Sequence, residues 1–339
     1  MSGFAFMISE ASGPRTRLRR PLAALLVAFA ALLGVLAAPV PAHAAVWKEY
    51  PPAANRTCSE TRTYNGTAYQ VCLEFNYSRT QVRTVAFVNP GAYTNFQVNI
   101  RLAFGGGGPD ITDSCPTMTT NGSRACYTAF TDLRRPYAVA EATFGIAGQW
   151  QRTVRALDMR VEPKVQQEWN WCGPGVVQTT LATLGYSAPS QAELADKLGT
   201  DTSLGGVTWP GRMPGVLNQY ISSSDWQYTF EDGSVATGPL YEALKGHIRS
   251  SLNRGKPVMV LVVPGKLPWN TNPTPLLRHY VTIHGYGGAV GADGNVNATT
   301  YKVTDPADGS EHSIDVDTLL LNNANLAWNG IDSVAIVRT

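Results

Sequence analysis

The sequence predicts an all-β, sandwich-like domain followed by an α+β domain, behind an N-terminal export leader. Three observations carry this expectation. Apolar and polar residues alternate over much of 45–155, helical spacing sets in after residue 172, and short β-rich runs separated by Gly, Pro and Asn take over from residue 258. Helices first and strands afterwards is the signature of an α+β arrangement.

The leader comes first. Arg15, Arg17, Arg19 and Arg20 form a basic region, Leu22 to Ala38 is apolar, and Ala42-His43-Ala44 offers small residues at the positions a signal peptidase needs. The apolar run is short for a membrane span of roughly 20 residues and meets Pro39 and Pro41, so residues 1–44 are expected to be a cleaved signal peptide rather than an anchor. Arg19-Arg20 is followed directly by Pro21 and lacks the usual twin-arginine flanks. Roughly 295 residues remain, enough for two domains. The formal net charge is only +2, basic residues are scattered, and no second apolar segment approaches membrane length. A nucleic-acid partner is therefore not expected, nor a membrane partner once the leader is removed. The mature protein is expected to be secreted and extracellular, and the sequence assigns no oligomeric state.

In the β domain, 45–155, Phe96, Val98, Ile100, Leu102 and Phe104 alternate with Gln97, Asn99, Arg101 and Ala103. A second alternation sets Val71, Leu73, Phe75 and Tyr77 against Cys72, Glu74 and Asn76. Turn signals at Asn65-Gly66, Pro90-Gly91, Gly105 to Pro109 and Asn121-Gly122 space several short antiparallel strands. Four of the five cysteines, Cys58, Cys72, Cys115 and Cys126, fall here, and Cys172 stands alone. Asn-Gly is the strongest short hairpin signal, and such pairs lie between Cys58 and Cys72 and between Cys115 and Cys126. Disulfides Cys58 with Cys72 and Cys115 with Cys126 are expected on that ground, leaving Cys172 as a free thiol.

In the second domain, 156–339, Val177, Leu181 and Leu184 share a helix face that Gly185 ends, and Ser190 with Glu193 forms a capping box before Leu194 and Leu198. Leu240, Leu244, Ile248 and Leu252 mark a further helix, stopping near Gly255-Lys256-Pro257. Val258 to Val263, Tyr280 to Ile283, Thr300 to Thr304 and Ser333 to Val337 are the expected strands.

The most specific stretch is Gln166-Gln167-Glu168-Trp169-Asn170-Trp171-Cys172-Gly173-Pro174. It sets a cysteine at the start of an amphipathic helix, where unpaired N–H groups and the helix dipole favour thiolate, the nucleophilic form. Pro is tolerated in a first helical turn and Gly lets a substrate approach the backbone. Gln166, five intervening residues and Cys172-Gly173 resemble the nucleophile motif of the papain-like cysteine peptidase superfamily. Trp171-Cys172-Gly173-Pro174 resembles its bacteriocin-processing (double-glycine) peptidase-like branch. In that branch's order, Gln191 to Ala195, Leu198 to Thr200, Gly206 to Tyr220, His279 to Tyr286 and Val303 to Gly309 resemble the succeeding segments. The resemblance covers about Val161 to Thr339 and departs at Gly175, where the family often has alanine.

The resemblance implies a papain-like domain with nucleophile Cys172, base His279, orienting acid Asp305 and oxyanion donor Gln166 acting with the Cys172 backbone N–H. Chemistry asks for the same set: acyl transfer needs a nucleophile, a base, a group to orient the base and donors for the oxyanion. His284 lies five positions beyond His279, so a regular strand turns it to the opposite face. His247 and His312 are expected on solvated surface. Asp308 is the alternative acid and Gln167 the alternative donor, separated from Gln166 by motif spacing alone. No second cysteine lies at zinc-ligand spacing, and Gly105 to Gly108 lacks the lysine of a phosphate loop, so no cofactor is expected. The segment Pro264 to Leu277, carrying Trp269, is expected to wall the cleft.

The expected function is a secreted cysteine hydrolase acting on a peptide or protein substrate. The alternative is a secreted binding or adhesion protein that keeps the papain-like fold as an idle scaffold.

Overall fold

A computed structural model describes residues 45–50, 55–105, 107, 109–133, 136–200, 207–232, 238–270, 278–324 and 335–339. The expected signal peptide, Gly106 and Gly108 of the Gly105 to Gly108 run and residues 271–277 lie outside them.

Alternation builds the first part of the chain. Its strands are β1 (Trp47–Lys48), β2 (Arg56–Cys58), β3 (Arg62–Tyr64), β4 (Thr67–Phe75), β5 (Gln81–Pro90), β6 (Thr94–Phe104), β7 (Ile111–Thr120), β8 (Arg124–Tyr127), β9 (Thr131–Asp132), β10 (Tyr137–Ile146), β11 (Gln149–Trp150) and β12 (Val154–Met159). One sheet runs β1-β8-β5-β4-β2, with β3 on β4 and β9 on β5; β7-β6-β10-β12 face it as part of a second sheet. Phe96, Val98, Ile100 and Leu102 of β6 point between the sheets with Val71, Leu73, Phe75, Val82 and Val88, which is the apolar core this lobe needs.

Two expectations change here. Tyr77 does not continue the inward row: β4 ends at Phe75 and Tyr77 is fully exposed. Cys72 and Glu74 are themselves buried, Cys72 by its disulfide and Glu74 between Arg56 (2.5 Å) and Arg83 (2.5 Å). Both expected disulfides are present, Cys58–Cys72 and Cys115–Cys126. They differ in kind. Asn65-Gly66 is a true two-residue hairpin turn, with φ of 46° and 73°, and Cys58 pairs directly across from Cys72. Asn121-Gly122 instead turns the chain from one sheet to the other, because β7 pairs with β6 whereas β8 pairs with β5. Cys115–Cys126 therefore staples the two sheets together.

The second part follows with α1 (Cys172–Thr183), α2 (Gln191–Leu198), α3 (Met213–Tyr220), β13 (Thr229–Asp232), α4 (Pro239–Asn253), β14 (Val258–Val262), β15 (His279–Val290), β16 (Val296–Thr304), β17 (Glu311–Asp315), α5 (Val316–Ala324) and β18 (Ala335–Arg338). The sheet order is β13-β18-β14-β15, with β16 along β15 and β17 beyond it. Strand β14 is buried on both faces: Met259 and Leu261 pack with α1 to α3, while Val258, Val260 and Val262 pack with α4 and α5. That two-sided cover is why it reads as an unbroken apolar run. Two helix signals act as anticipated, Ser190 Oγ accepting from Glu193 N at 3.2 Å and Gly185 following α1 at φ 79°; Gly199, not anticipated, closes α2 in the left-handed region at φ 58°. Strands β13 and β17 and helices α3 and α5 were not anticipated from the periodicity.

The boundary expected between 155 and 156 falls inside β12. This strand pairs with β10 on one edge, Ala140 opposite Ala156, and with β15 on the other, Leu157 opposite Tyr286. Along one edge of β15, residues 279–283 take β14 and residues 285–289 take β12. One sheet thus runs through both parts, and residues 44–339 form a single compact unit with a β lobe and an α/β lobe. Gly287 permits the join, since a Cβ there would lie 1.9 Å from the Cys58 carbonyl oxygen.

Candidate active site

Cys172 opens α1, the one free cysteine among the described residues and 9% exposed. Trp171, the residue before the helix, supplies no side-chain cap, so the first-turn N–H groups stay available. Gly173 is required by packing: a Cβ would meet the Thr208 side chain at 2.3 Å. Thr208 is held by Tyr280, whose hydroxyl donates to the Thr208 carbonyl at 2.8 Å. Gly175, the departure noted above, also has a reason, because a Cβ there would come within 3.1 Å of Pro306. Exposed Trp169, Val207 and Trp209 flank this start of the helix in sequence or through Thr208.

His279 is the first residue of β15, and Asp305 directly follows β16, the neighbouring strand. His279 Nε2 donates to Asp305 Oδ1 at 2.7 Å, with both side chains more than nine-tenths buried. Nδ1 is left free of Asp305, and Cys172 lies close enough to act on the charge of the imidazole. Burial alone would lower the His279 pKa. The hydrogen bonds and charges of Asp305 and Cys172 outweigh it and push the value up to about 10. The same pairing holds Asp305 below the usual carboxylate range despite its burial, helped by Trp269 and the Ala307 N–H. Each partner stabilises the other's charged form, so the two shifts agree.

Trp269, carried by the segment expected to wall the cleft, touches the acid itself. Its Nε1 donates to Asp305 Oδ2 at 2.9 Å, and its ring stacks on His312, centroids 4.0 Å apart and planes 1° from parallel. His312, anticipated on solvated surface, is half-buried there, with Nε2 2.6 Å from Ser310 Oγ. The Asp305 carboxylate is thereby engaged at both oxygens. Nothing in the spacing of Trp269 or His312 foretells this, because each reaches Asp305 or its brace from a different segment.

Gln166 sits beside α1, its backbone N–H donating to the Pro306 carbonyl at 2.7 Å. Its Nε2 donates to the carbonyls of Glu168 (3.1 Å) and Trp169 (2.8 Å), while its Oε1 is buried and has no partner among the described residues. The amide is close to the helix that Cys172 opens but engaged by its own loop. Gln167 is exposed and linked to Gln191 only through its backbone N–H.

The other candidates lie elsewhere. His284 is fully buried with Nδ1 2.7 Å from Asp158 Oδ1, His247 pairs with Glu231 at 2.9 Å, and Asp308 accepts from the Ser310 N–H at 2.8 Å within its own turn. Among the described residues no group of three or more His, Cys, Asp or Glu is arranged to hold a metal ion.

A family model described as Peptidase_C39 like family matches residues 158–336. No curated protein matches the chain. The match begins within β12, so it contains Cys172, His279 and Asp305 and leaves most of the β lobe outside.

Proposed function

The chain belongs to the Peptidase_C39 like family, and from that premise we propose that it is a secreted cysteine peptidase in which Cys172, His279 and Asp305 cleave a peptide bond. The observation that carries this is the His279 imidazole, held by Asp305 at 2.7 Å through Nε2, with Cys172 near enough to raise its pKa.

The steps follow from these positions. The Cys172 proton passes to His279, and the thiolate sulfur bonds to the substrate carbonyl carbon while the C=O π pair moves onto oxygen. That oxyanion takes donors from the Cys172 backbone N–H and from the Gln166 amide, once the amide gives up one of its two loop carbonyls. The C–N bond then breaks as His279 returns its proton to the leaving amine, leaving a thioester. Neutral His279 next takes a proton from water, the hydroxide oxygen bonds to the thioester carbon, and the C–S bond breaks to release the acid. Asp305 keeps the imidazole in one tautomer and orientation throughout.

Two disulfides and the leader at 1–44 support an oxidising, extracellular destination. Among the described residues no helix is long and apolar enough to cross a membrane. The Trp171-Cys172-Gly173-Pro174 stretch supports the bacteriocin-processing-like branch within the family. N-terminal sequencing of the exported protein is expected to begin at Ala45.

The reaction is tested by screening the mature chain against a quenched-fluorescence peptide library. Turnover abolished by Cys172→Ala and by His279→Ala, and lowered roughly 10²-fold or more in kcat by Asp305→Ala, is the expected result. Undiminished turnover in Cys172→Ala overturns the proposal. Products captured mainly by added amines rather than water reassign the chemistry to acyl transfer.

A further inference from the structure

Arg79 belongs to the β lobe but spends its side chain on the α/β lobe. It sits in the turn between β4 and β5, its N–H donating to the Asn76 carbonyl at 3.0 Å, with a backbone φ of 53°. A non-glycine residue in that left-handed region is uncommon and is kept only where surrounding contacts over-determine it. The guanidinium, stacked 4.2 Å from the Phe75 ring centre, donates through Nη1 to Glu311 Oε2 at 2.8 Å and through Nη2 to the Met159 carbonyl at 3.0 Å. It also lies 3.6 Å from Asp158 Oδ2.

Glu311 occupies a telling place. It is the first residue of β17, paired across the ladder with Thr304, the residue before Asp305. The turn that carries Asp305 closes between these two, with Asp305 N donating to the Ser310 carbonyl at 3.0 Å. His312, next after Glu311, is the ring that stacks on Trp269, which in turn donates to Asp305. The first two residues of β17 thus mount the acid from two sides, one through Trp269 and one through an arginine 232 residues away in sequence.

We propose that Arg79 is a positioning residue for the proposed triad: through Glu311 it fixes the hairpin that aims Asp305 at His279, making the β lobe part of the catalytic apparatus. This rests on the assignment of Cys172, His279 and Asp305 as the reacting set. Lobe and acid are linked covalently only through β12 and the chain beyond it, so an ion pair across the gap restricts the hairpin in a way the sheet alone does not. Arg79 is 14% and Glu311 19% exposed, which shields the pair from most screening by water. Lys302, 3.9 Å from the same Glu311 oxygen, is the remaining charged neighbour.

The test uses the full mature chain with Arg79→Gln and Glu311→Gln, singly and together. Rates are normalised to the fraction of protein in the folded baseline by circular dichroism, so that partial misfolding does not enter kcat. We expect kcat to fall roughly ten-fold with KM changed less than about two-fold, the two substitutions together costing no more than either alone. The high-pH limb of kcat/KM and the ¹⁵N-detected titration of the His279 ring are both expected to move down by about one pH unit. Glu311→Gln is the discriminating variant, because Arg79 also faces Asp158 and its partner His284 whereas Glu311 does not. A lowered melting temperature with kcat and the His279 titration unchanged overturns the proposal. A wild-type protein without peptidase turnover whose His279 titration still moves in Glu311→Gln sinks the reaction and upholds the positioning role.

Discussion

At the scale of single residues, the proposed site consists of one thiol, one imidazole and a set of restraints on that imidazole. The proposed triad Cys172, His279 and Asp305 was named from residue type, from position at an element's start or end and from the family resemblance, and the fold brings His279 and Asp305 together. Gln166 could be picked out by spacing, but not the engagement of its amide by Glu168 and Trp169 carbonyls, which depends on how the loop folds back. Replacing Gln166 by Glu keeps the shape and removes the donor, so kcat is expected to fall roughly 10²–10³-fold. A Glu variant as active as wild type would mean that Gln166 only braces its loop. Trp269 was legible as an aromatic near the site and not as a ligand of Asp305. Trp269→Phe keeps the stack on His312 and loses only the N–H. Asp305, which the Trp269 N–H helps to hold below the usual carboxylate range, is expected to titrate higher in this variant, moving the acid limb of kcat/KM up; an unmoved limb would make Trp269 mere packing.

At the scale of elements, local signals succeeded where a neighbour in sequence decides the geometry. Ser190-Glu193, Gly185 and Asn65-Gly66 all act within a few residues and adopt the conformations expected of them. Asn121-Gly122 misled because a turn dipeptide fixes a reversal, not whether the two flanking strands pair with each other. Strand β15 carries most of what was not legible. Its first residue supplies His279, its next few pair with β14, and its second half binds β12 of the β lobe. The run His284-Gly285-Tyr286-Gly287-Gly288 looks weak for a strand, since Gly disfavours extended structure, and is explained only by what approaches it. Gly287→Ala is expected to lower stability by several kcal/mol, since its Cβ would sit 1.9 Å from a backbone oxygen that cannot yield without moving β2. Chemical denaturation measures it, and a loss below about 1 kcal/mol would show that the lobes can slide apart at no great cost.

At the scale of the whole molecule, the two parts that composition separates are joined by one continuous sheet and by buried charges. The pairing of Leu157 with Tyr286 spans too many residues for any local pattern to announce it. Asp158, at that junction, is held below its ordinary pKa: burial would raise it, but His284, Arg79 and the Thr57 hydroxyl outweigh the burial. A carboxylate with a depressed folded pKa contributes stability above its unfolded pKa of 3.8 and loses it as pH falls through the lower folded value. The acid arm of the stability curve below about pH 4 is therefore expected to be less steep in Asp158→Asn, which is also less stable at pH 7 by roughly 3–5 kcal/mol. An unchanged acid arm would remove Asp158 from the account. The most direct test of the central claim is the rate of Cys172 alkylation against pH, followed by intact mass on the mature protein and on His279→Ala. Fast alkylation at pH 6, where an ordinary thiol is almost wholly protonated, and its loss in His279→Ala, is the predicted result. A thiol that reacts only as ordinary thiols do, alike in both proteins, would contradict a Cys172–His279 pair and with it the peptidase mechanism.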